Sequence, residues 1–344
     1  MNIELLRQLS EAPGVPGREE RVRDLLLTHV QKLFDKVSVD PMGNLIARKR
    51  PQVKAKNAKR VLFATHIDEI GFYVKHVDER GFIRLVNVGG FDTRNLLARR
   101  VRVQASSGDE LIGLLNPGGR PIHIAREEDK KKIPEIGEFL VDLCLPADVV
   151  KSKVAIGDPV TLIQSFDEIG EVVTGKCLDN RVAAWVVLEA VRKLKSLKYE
   201  LVLAATVQEE VGCRGAGPAA FAVEPDIAIA LDTTLCCDMP GVPDDERVTQ
   251  QGKGVAVKIL DSSSISNRSL VDEFLTVSKR HNIPHQLSVL PRGGTDAGPM
   301  QRTRDGIRTA TLALPTRNIH TVTESIHKTD LQAAIDLIAA WLET

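Results

Sequence analysis

Aromatic side chains are scarce in this chain: nine Phe, two Trp and two Tyr make up 4% of it. A carbohydrate platform, or a surface that stacks successive bases of a single strand, needs more ring faces than that, so both classes of function recede. Long apolar runs are missing as well. No stretch approaches the roughly 18 residues needed to span a bilayer, and the start MNIELLRQLS lacks the basic-then-apolar layout of a secretory signal. No membrane contact and a cytoplasmic location are therefore expected. Net charge is absent, with 46 basic residues against 46 acidic ones, and no block of like sign is long enough to hold a nucleic acid. The nearest, KRPQVKAKNAK over 49–59, reads as a solvated loop before a strand. Cysteines number five, an odd count without framework spacing, which fits a reducing compartment. The neighbours Cys236 and Cys237 read as small buried hydrophobes.

What is present is alternation. The 344 residues exceed one typical domain of roughly 100–200 residues, which points to a large α/β domain with a smaller companion. Val22, Leu26, Val30 and Leu33 keep helical spacing after APGVPGREE, so the chain opens with two helices around a Pro/Gly loop. VSVDPMGNLIARK reads as a hairpin, and VLFAT as a buried strand ending at His66. From about 70 to 166 the texture changes to short alternating runs (GFYVKHV, GFIRLVNV, RRVRVQA, LIGLLN, DPVTLIQ), with one charged stretch, REEDKKK, able to start a helix. That is the pattern of a small all-β unit. Helical spacing returns in RVAAWVVLEAVRKL, where Ala183, Val187, Ala190, Val191 and Leu194 share a face. Strands LVLAATV, DIAIALD, GVAVKIL and RTATLAL then alternate with helices, as βαβ units do. The β-rich insert, 69–166, divides the α/β domain into 1–68 and 167–344.

Five places share one grammar, an apolar strand followed by a residue of metal-ligand type: His66 and Asp68 after VLFAT, Asp179 in GKCLDNR, Glu209 and Glu210 after LVLAATV, Asp232 in IAIALDTT, and His320 in ALPTRNIH. A lone Asp at a strand end is most often a helix cap. Independent caps, however, do not call for two histidines and a paired glutamate at one sheet edge. Imidazole nitrogens with carboxylate oxygens suit zinc, cobalt or manganese, and two such ions about 3.5–4 Å apart would activate a water held between them. Consecutive residues point to opposite sides, so one of the paired glutamates can bind metal while the other moves a proton. Asp68, two residues beyond His66, is placed to accept its other ring N–H. The remaining histidines, 29, 76, 123, 281, 285 and 327, lack a carboxylate cluster in such a context and read as structural or surface residues.

The motifs GVPGREE, ATHIDEIGF, GFIRLVNVGG, KCLDNRVAAW, VQEEVGCRGA, ALDTT, GGTDAG and PTRNIH, in this order, resemble the dinuclear-metal aminopeptidases of the glutamyl and deblocking type. The resemblance covers nearly the whole chain. It implies a mixed-sheet, phosphorylase/hydrolase-like metallopeptidase domain of the α/β class with an inserted small all-β, PDZ-like domain. It further implies His66 and Asp232 on one ion, Glu210 and His320 on the other, Asp179 between both, Glu209 as general base and acid, and Asp68 as the partner of His66. Gly294, Thr295 and Asp296 of GGTDAG match the family's substrate-side loop. Many members assemble as tetrahedral dodecamers, so a homo-oligomer is expected. Thr321 stands after His320 where Ser is commoner, which bears on substrate preference and not on the ligands.

The resulting expectation is a metal-dependent aminopeptidase acting on short peptides with a free N-terminus, with Glu209 deprotonating the attacking water. An N-acyl amino acid deacylase or carboxypeptidase would use the same ions but recognise a carboxylate. A glycoside hydrolase would use Glu209 and Glu210 alone, yet adjacent glutamates are poorly placed to flank a sugar, and it leaves His66 and His320 unexplained.

Overall fold

Four segments, RVLFATH, ELVLAAT, IAIALDTTL and RTATLALPTR, are buried along nearly their whole length. Strands covered on both faces read as continuous apolar runs and favour parallel pairing. In the structure, a computed structural model describing residues 1–52 and 58–344, these segments are the parallel strands Glu200–Thr206, Arg60–His66, Ile227–Leu235 and Arg308–Arg317, adjacent in that order. The basic stretch 49–59 lies partly outside the described residues.

Antiparallel strands extend this centre. The hairpin strands Lys36–Val39 and Leu45–Lys49 flank Glu200–Thr206. Glu324–His327, Val172–Gly175 and Asp167–Ile169 continue from Arg308–Arg317. Val255–Leu260 pairs antiparallel with Arg308–Arg317 and parallel with His285–Val289. The result is a mixed sheet of eleven strands.

Alternation along each central strand feeds two cores. Val61 and Phe63 pack under the helices Ile3–Glu11, Leu178–Lys193, Arg268–Arg280 and Lys328–Leu342, while Leu62 and Ala64 pack under Ala216–Val223 and Ala297–Gln301. The spacing in RVAAWVVLEAVRKL predicts one apolar face, but every residue from Leu178 to Leu188 is buried. Its outer side is covered in turn by Ile3–Glu11 and Lys328–Leu342, so the helix is interior rather than amphipathic. Even Arg181 is fully buried there, its guanidinium donating to the Leu9 carbonyl at 2.7 Å, to the Ile67 carbonyl at 3.0 Å and to Glu69 at 3.1 Å.

Past Asp68 the chain leaves this sheet and builds a second body. Strands Gly71–Val77, Ile83–Val88, Phe139–Asp142, Glu110–Pro117, Arg99–Gln104 and Pro159–Leu162 close into an antiparallel barrel around its own core, which includes Phe72, Val101, Leu115 and Phe139. Closure removes the unpaired edges that an isolated small sheet would expose. The REEDKKK segment contains the single helical turn Glu127–Lys130. A further helix, Ala147–Lys153, was not visible in the pattern, because Val150 is its one buried residue and leaves no apolar stripe. All five cysteines are free; Cys236 is buried and Cys237 half-buried.

Candidate metal centre and active site

Parallel strands end on the same edge, where α/β folds collect their ligand sites. Register pairs Thr206 with His66, and Ala230 with Ala64, which brings Asp232 level with His66. Glu209 and Glu210 leave the turn after Glu200–Thr206, Asp179 stands at the start of Leu178–Lys193, and His320 follows Arg308–Arg317. Gln208 and His320 adopt left-handed backbone, at φ 57° and 62°, and so turn the chain sharply over the sheet edge.

The side chains converge. Nε2 of His66 lies 3.2 Å from Asp179 Oδ1, 3.7 Å from Asp232 Oδ1 and 3.9 Å from Glu209 Oε2. Nε2 of His320 lies 3.5 Å from Asp179 Oδ2 and 3.3 Å from Glu210 Oε2. Each imidazole therefore faces a different oxygen of Asp179. Two groups able to hold a cation follow from this geometry, His66 with Asp179 and Asp232, and Asp179 with Glu210 and His320. They open onto a cleft of about 700 Å³ that is also lined by Phe91, Leu235, Lys258, Leu290, Arg292 and Gly294.

Charge in this crevice is out of balance. Burial, reinforced by Asp179, pushes Asp232 up to about 8 against the pull of His66. Burial also raises Glu209 well above the carboxylate range, with Asp232, Asp296 and Glu210 adding to it. The histidines move the same way. Burial disfavours the charged ring of His320, yet Asp179 and Glu210 carry it up to about 12; Glu209, Asp179, Asp68 and Asp232 likewise outweigh burial at His66. Burial and mutual repulsion thus favour protons on Asp232, Glu209 and the two imidazoles. Divalent ions would displace those protons, and the nitrogen and oxygen donors are the set such ions take.

Asp68 sits beneath the site, fully buried. Its Oδ1 is 3.5 Å from His66 Nδ1, and that nitrogen has no hydrogen-bond partner among the described residues. Both Asp68 oxygens instead accept main-chain N–H groups, from Glu209 and from Glu210, each at 3.0 Å. The carboxylate thus grips the backbone of the paired glutamates. In GGTDAG, Gly294 faces the cleft, whereas Thr295 and Asp296 are 2% exposed and lie beneath it. A Cβ on Gly294 or Gly298 would come within 2.8 or 2.7 Å of Ser263 Oγ, so close packing requires both glycines.

Three supporting groups escaped the sequence pattern. Glu324, buried, accepts the N–H of Asp179 and that of His320, both at 2.9 Å. The Gly90 carbonyl, from the inserted body, lies 3.0 Å from His320 Nδ1; accepting a proton there would fix the tautomer and free Nε2. Lys258, 2% exposed, lies 4.0 Å from Asp261 and exerts a downward pull on Asp232. Only Lys258 carried a sequence signal, as the one charge inside GVAVKIL.

The chain is similar in sequence and fold to known proteins. The family model described as M42 glutamyl aminopeptidase matches residues 43–337. Lysyl aminopeptidase of Pyrococcus furiosus is 32% identical, over 99% of this chain and 96% of its own. The solved structure of an aminopeptidase from the archaeon Desulfurococcus kamchatkensis superposes with a TM-score of 0.93 at 32% identity, covering 99% of this chain and 94% of the other. The TET1 peptidase of Pyrococcus horikoshii, described as assembling into a tetrahedron or a large octahedral shell, superposes with a TM-score of 0.86 at 29% identity, covering 98% of each chain. A family match over most of the sequence, joined to this constellation of side chains, means that the chain belongs to the M42 glutamyl aminopeptidase family of peptide hydrolases.

Proposed function

We propose that this chain removes N-terminal residues from short peptides, with His66 and Asp232 holding one divalent ion, Glu210 and His320 a second, and Asp179 serving both. Zinc, cobalt and manganese all suit the donors. Bound ions would polarise the scissile carbonyl and ease deprotonation of the attacking water. Glu209 takes that proton and returns it to the leaving amine. Its reach is set by the Asp68 grip on its backbone, and burial raises its affinity for the proton it takes. Gly90 and Glu324 hold His320 in place from its ring and from its backbone.

One observation carries this reading: two ligand groups share Asp179, and beside them stands a carboxylate, Glu209, that belongs to neither. Glu209→Gln tests it on an aminoacyl chromogenic substrate. The variant should keep its metal content and lose about 10²–10⁴-fold in kcat; a variant retaining most of its turnover refutes the role. Equal cleavage of the N-acetylated substrate would move the assignment to a deacylase.

The segments 1–68 and 167–344 act as the catalytic domain, and the insert 69–166 shapes substrate access and assembly. A homo-oligomer of tetrahedral, dodecameric form fits the tetrahedron or large octahedral shell described for the Pyrococcus horikoshii relative. Ile112, Leu114, Ile122 and Ile124 on the insert are exposed, as an unformed interface would leave them; the mass in solution tests this. A cytoplasmic location accords with five free cysteines.

A further inference from the structure

Glu209 has a neighbour to which peptide hydrolysis assigns no task. Cys213 lies in the tight turn after the paired glutamates, with left-handed backbone at φ 52°, and its main-chain N–H donates to the Glu209 carbonyl at 2.8 Å. The turn carries the thiol back over the Glu209 side chain, where Sγ–H donates to Oε1 at 3.0 Å. Asp296 completes a cluster: Glu209, Cys213 and Asp296 each offer one ligand atom, and these lie within 4.8 Å of one another. Asp296 is 2% exposed; its Oδ2 accepts from Thr206 Oγ1 at 2.5 Å, but its Oδ1 is buried without a hydrogen-bond partner among the described residues. A buried carboxylate oxygen with no donor bears an uncompensated desolvation cost, which a coordinated cation relieves.

We propose that Glu209, Cys213 and Asp296 form a third, inhibitory site for a thiophilic divalent cation, such as cadmium or excess zinc, distinct from the ligands His66, Asp179, Glu210, Asp232 and His320. The step is an exchange: the Cys213 S–H bond breaks, its proton passes to solvent, and a sulfur–metal bond forms. Burial and the carboxylates of Glu209 and Asp296 hold the free thiol well above its ordinary range, so weakly binding oxygen-seeking ions do not expel the proton, whereas ions that favour thiolate do. Occupancy ties up the Glu209 carboxylate. The inhibitory consequence rests on the reading of Glu209 as the proton carrier; the binding itself does not. Glu209 and Cys213 both line the cleft, which gives the ion its route.

The test uses manganese-loaded full-length enzyme titrated with cadmium, following the ultraviolet thiolate-to-metal charge-transfer band, the bound manganese and the rate. Wild type should develop the band with one cadmium per chain while keeping its manganese, and lose rate in step. In Cys213→Ala that band disappears, and the cadmium needed for half-inhibition, relative to the variant's own rate, rises by at least about tenfold, the lower end of what losing a metal's supporting partner costs. Cys144→Ala, which removes the exposed thiol, should behave as wild type. An unchanged band and inhibition in Cys213→Ala overturn the proposal, as does inhibition of wild type that tracks manganese release without a band. A band that forms at Cys213 without loss of rate would keep the site and reject the proton role of Glu209.

Discussion

Glu324 joins the two candidate ligand groups that share Asp179, and replacing it with Gln tests whether that tie sets metal affinity. Its two oxygens accept the main-chain N–H groups of Asp179 and His320, both at 2.9 Å, from a side chain only 2% exposed. Gln keeps the volume, but its NH₂ must confront one of those N–H groups. One accepted hydrogen bond is lost and a buried donor is left facing a donor, at about 1–3 kcal/mol. Burial and the nearby Asp179 carboxylate push Glu324 well up, so a neutral residue relieves some repulsion in the metal-free protein. A cation on Asp179 removes that repulsion in any case, so the substitution penalises the loaded state more than the empty one. Metal affinity should fall about 10–100-fold, as for other partners that orient metal ligands. Calorimetric titration, with rates measured against free metal, reads this directly: the activation midpoint moves to higher metal and excess metal recovers most of the turnover. A wild-type midpoint with reduced kcat would refute the argument, because Glu324 would then act on the reaction and not on ligand placement.

Asp68→Asn leaves one of the Glu209 and Glu210 amides facing an NH₂ group; misplacing Glu209 should lower kcat about 10²-fold with a smaller change in KM, and wild-type kinetics would mean that the turn holds itself. Lys258→Met removes a positive charge that restrains Asp232, which burial raises to about 8 even against that pull, so the carboxyl should rise further. Because protons compete with metal, affinity near neutral pH should drop and recover as pH rises; a parallel, pH-independent loss would contradict this. Glu69→Gln strands the buried cations Lys176 and Arg181, which lie 2.6 and 3.1 Å from the carboxylate, and should cost roughly 3–5 kcal/mol in denaturant unfolding. Burial raises the Glu69 carboxyl, but Lys176 and Arg181 prevail and hold it below the ordinary range. Its stabilisation is thus present above the unfolded-state value and is lost as pH falls through the depressed folded one. The gap between wild type and Glu69→Gln should therefore shrink in acid, and a gap constant into strong acid would refute the pairing.

The strand-end residues were legible because parallel strands deliver their termini to one edge, so position in sequence stood in for position in space. The small all-β insert was legible from its period of two. The supporting residues were not, because they act across long sequence separations: Glu324 reaches Asp179, and the Gly90 carbonyl reaches His320 from another body of the fold. Contacts made by main-chain groups leave no trace in residue type. Burial of Leu178–Lys193 on every side was hidden for a related reason. Its outer face is filled by Arg181 and Trp185, residues whose polar groups find main-chain acceptors at Leu9, Ile67 and Asn2, and only the tertiary structure supplies those acceptors.

The adjacency of Glu209 and Glu210 has a physical purpose once Asp68 is placed beneath them. A single carboxylate that accepts both main-chain N–H groups fixes the plane of the turn, and two successive side chains leaving a fixed backbone must diverge. Glu210 accordingly comes within 3.3 Å of His320, while Glu209 comes within 3.9 Å of His66 and accepts from Cys213. Repulsion between neighbouring anions is the cost of that divergence, and it is borne where cations are due to bind. The three carboxylates divide into Asp68, which positions backbone, Glu210, which faces His320, and Glu209, which faces His66 and the Cys213 thiol.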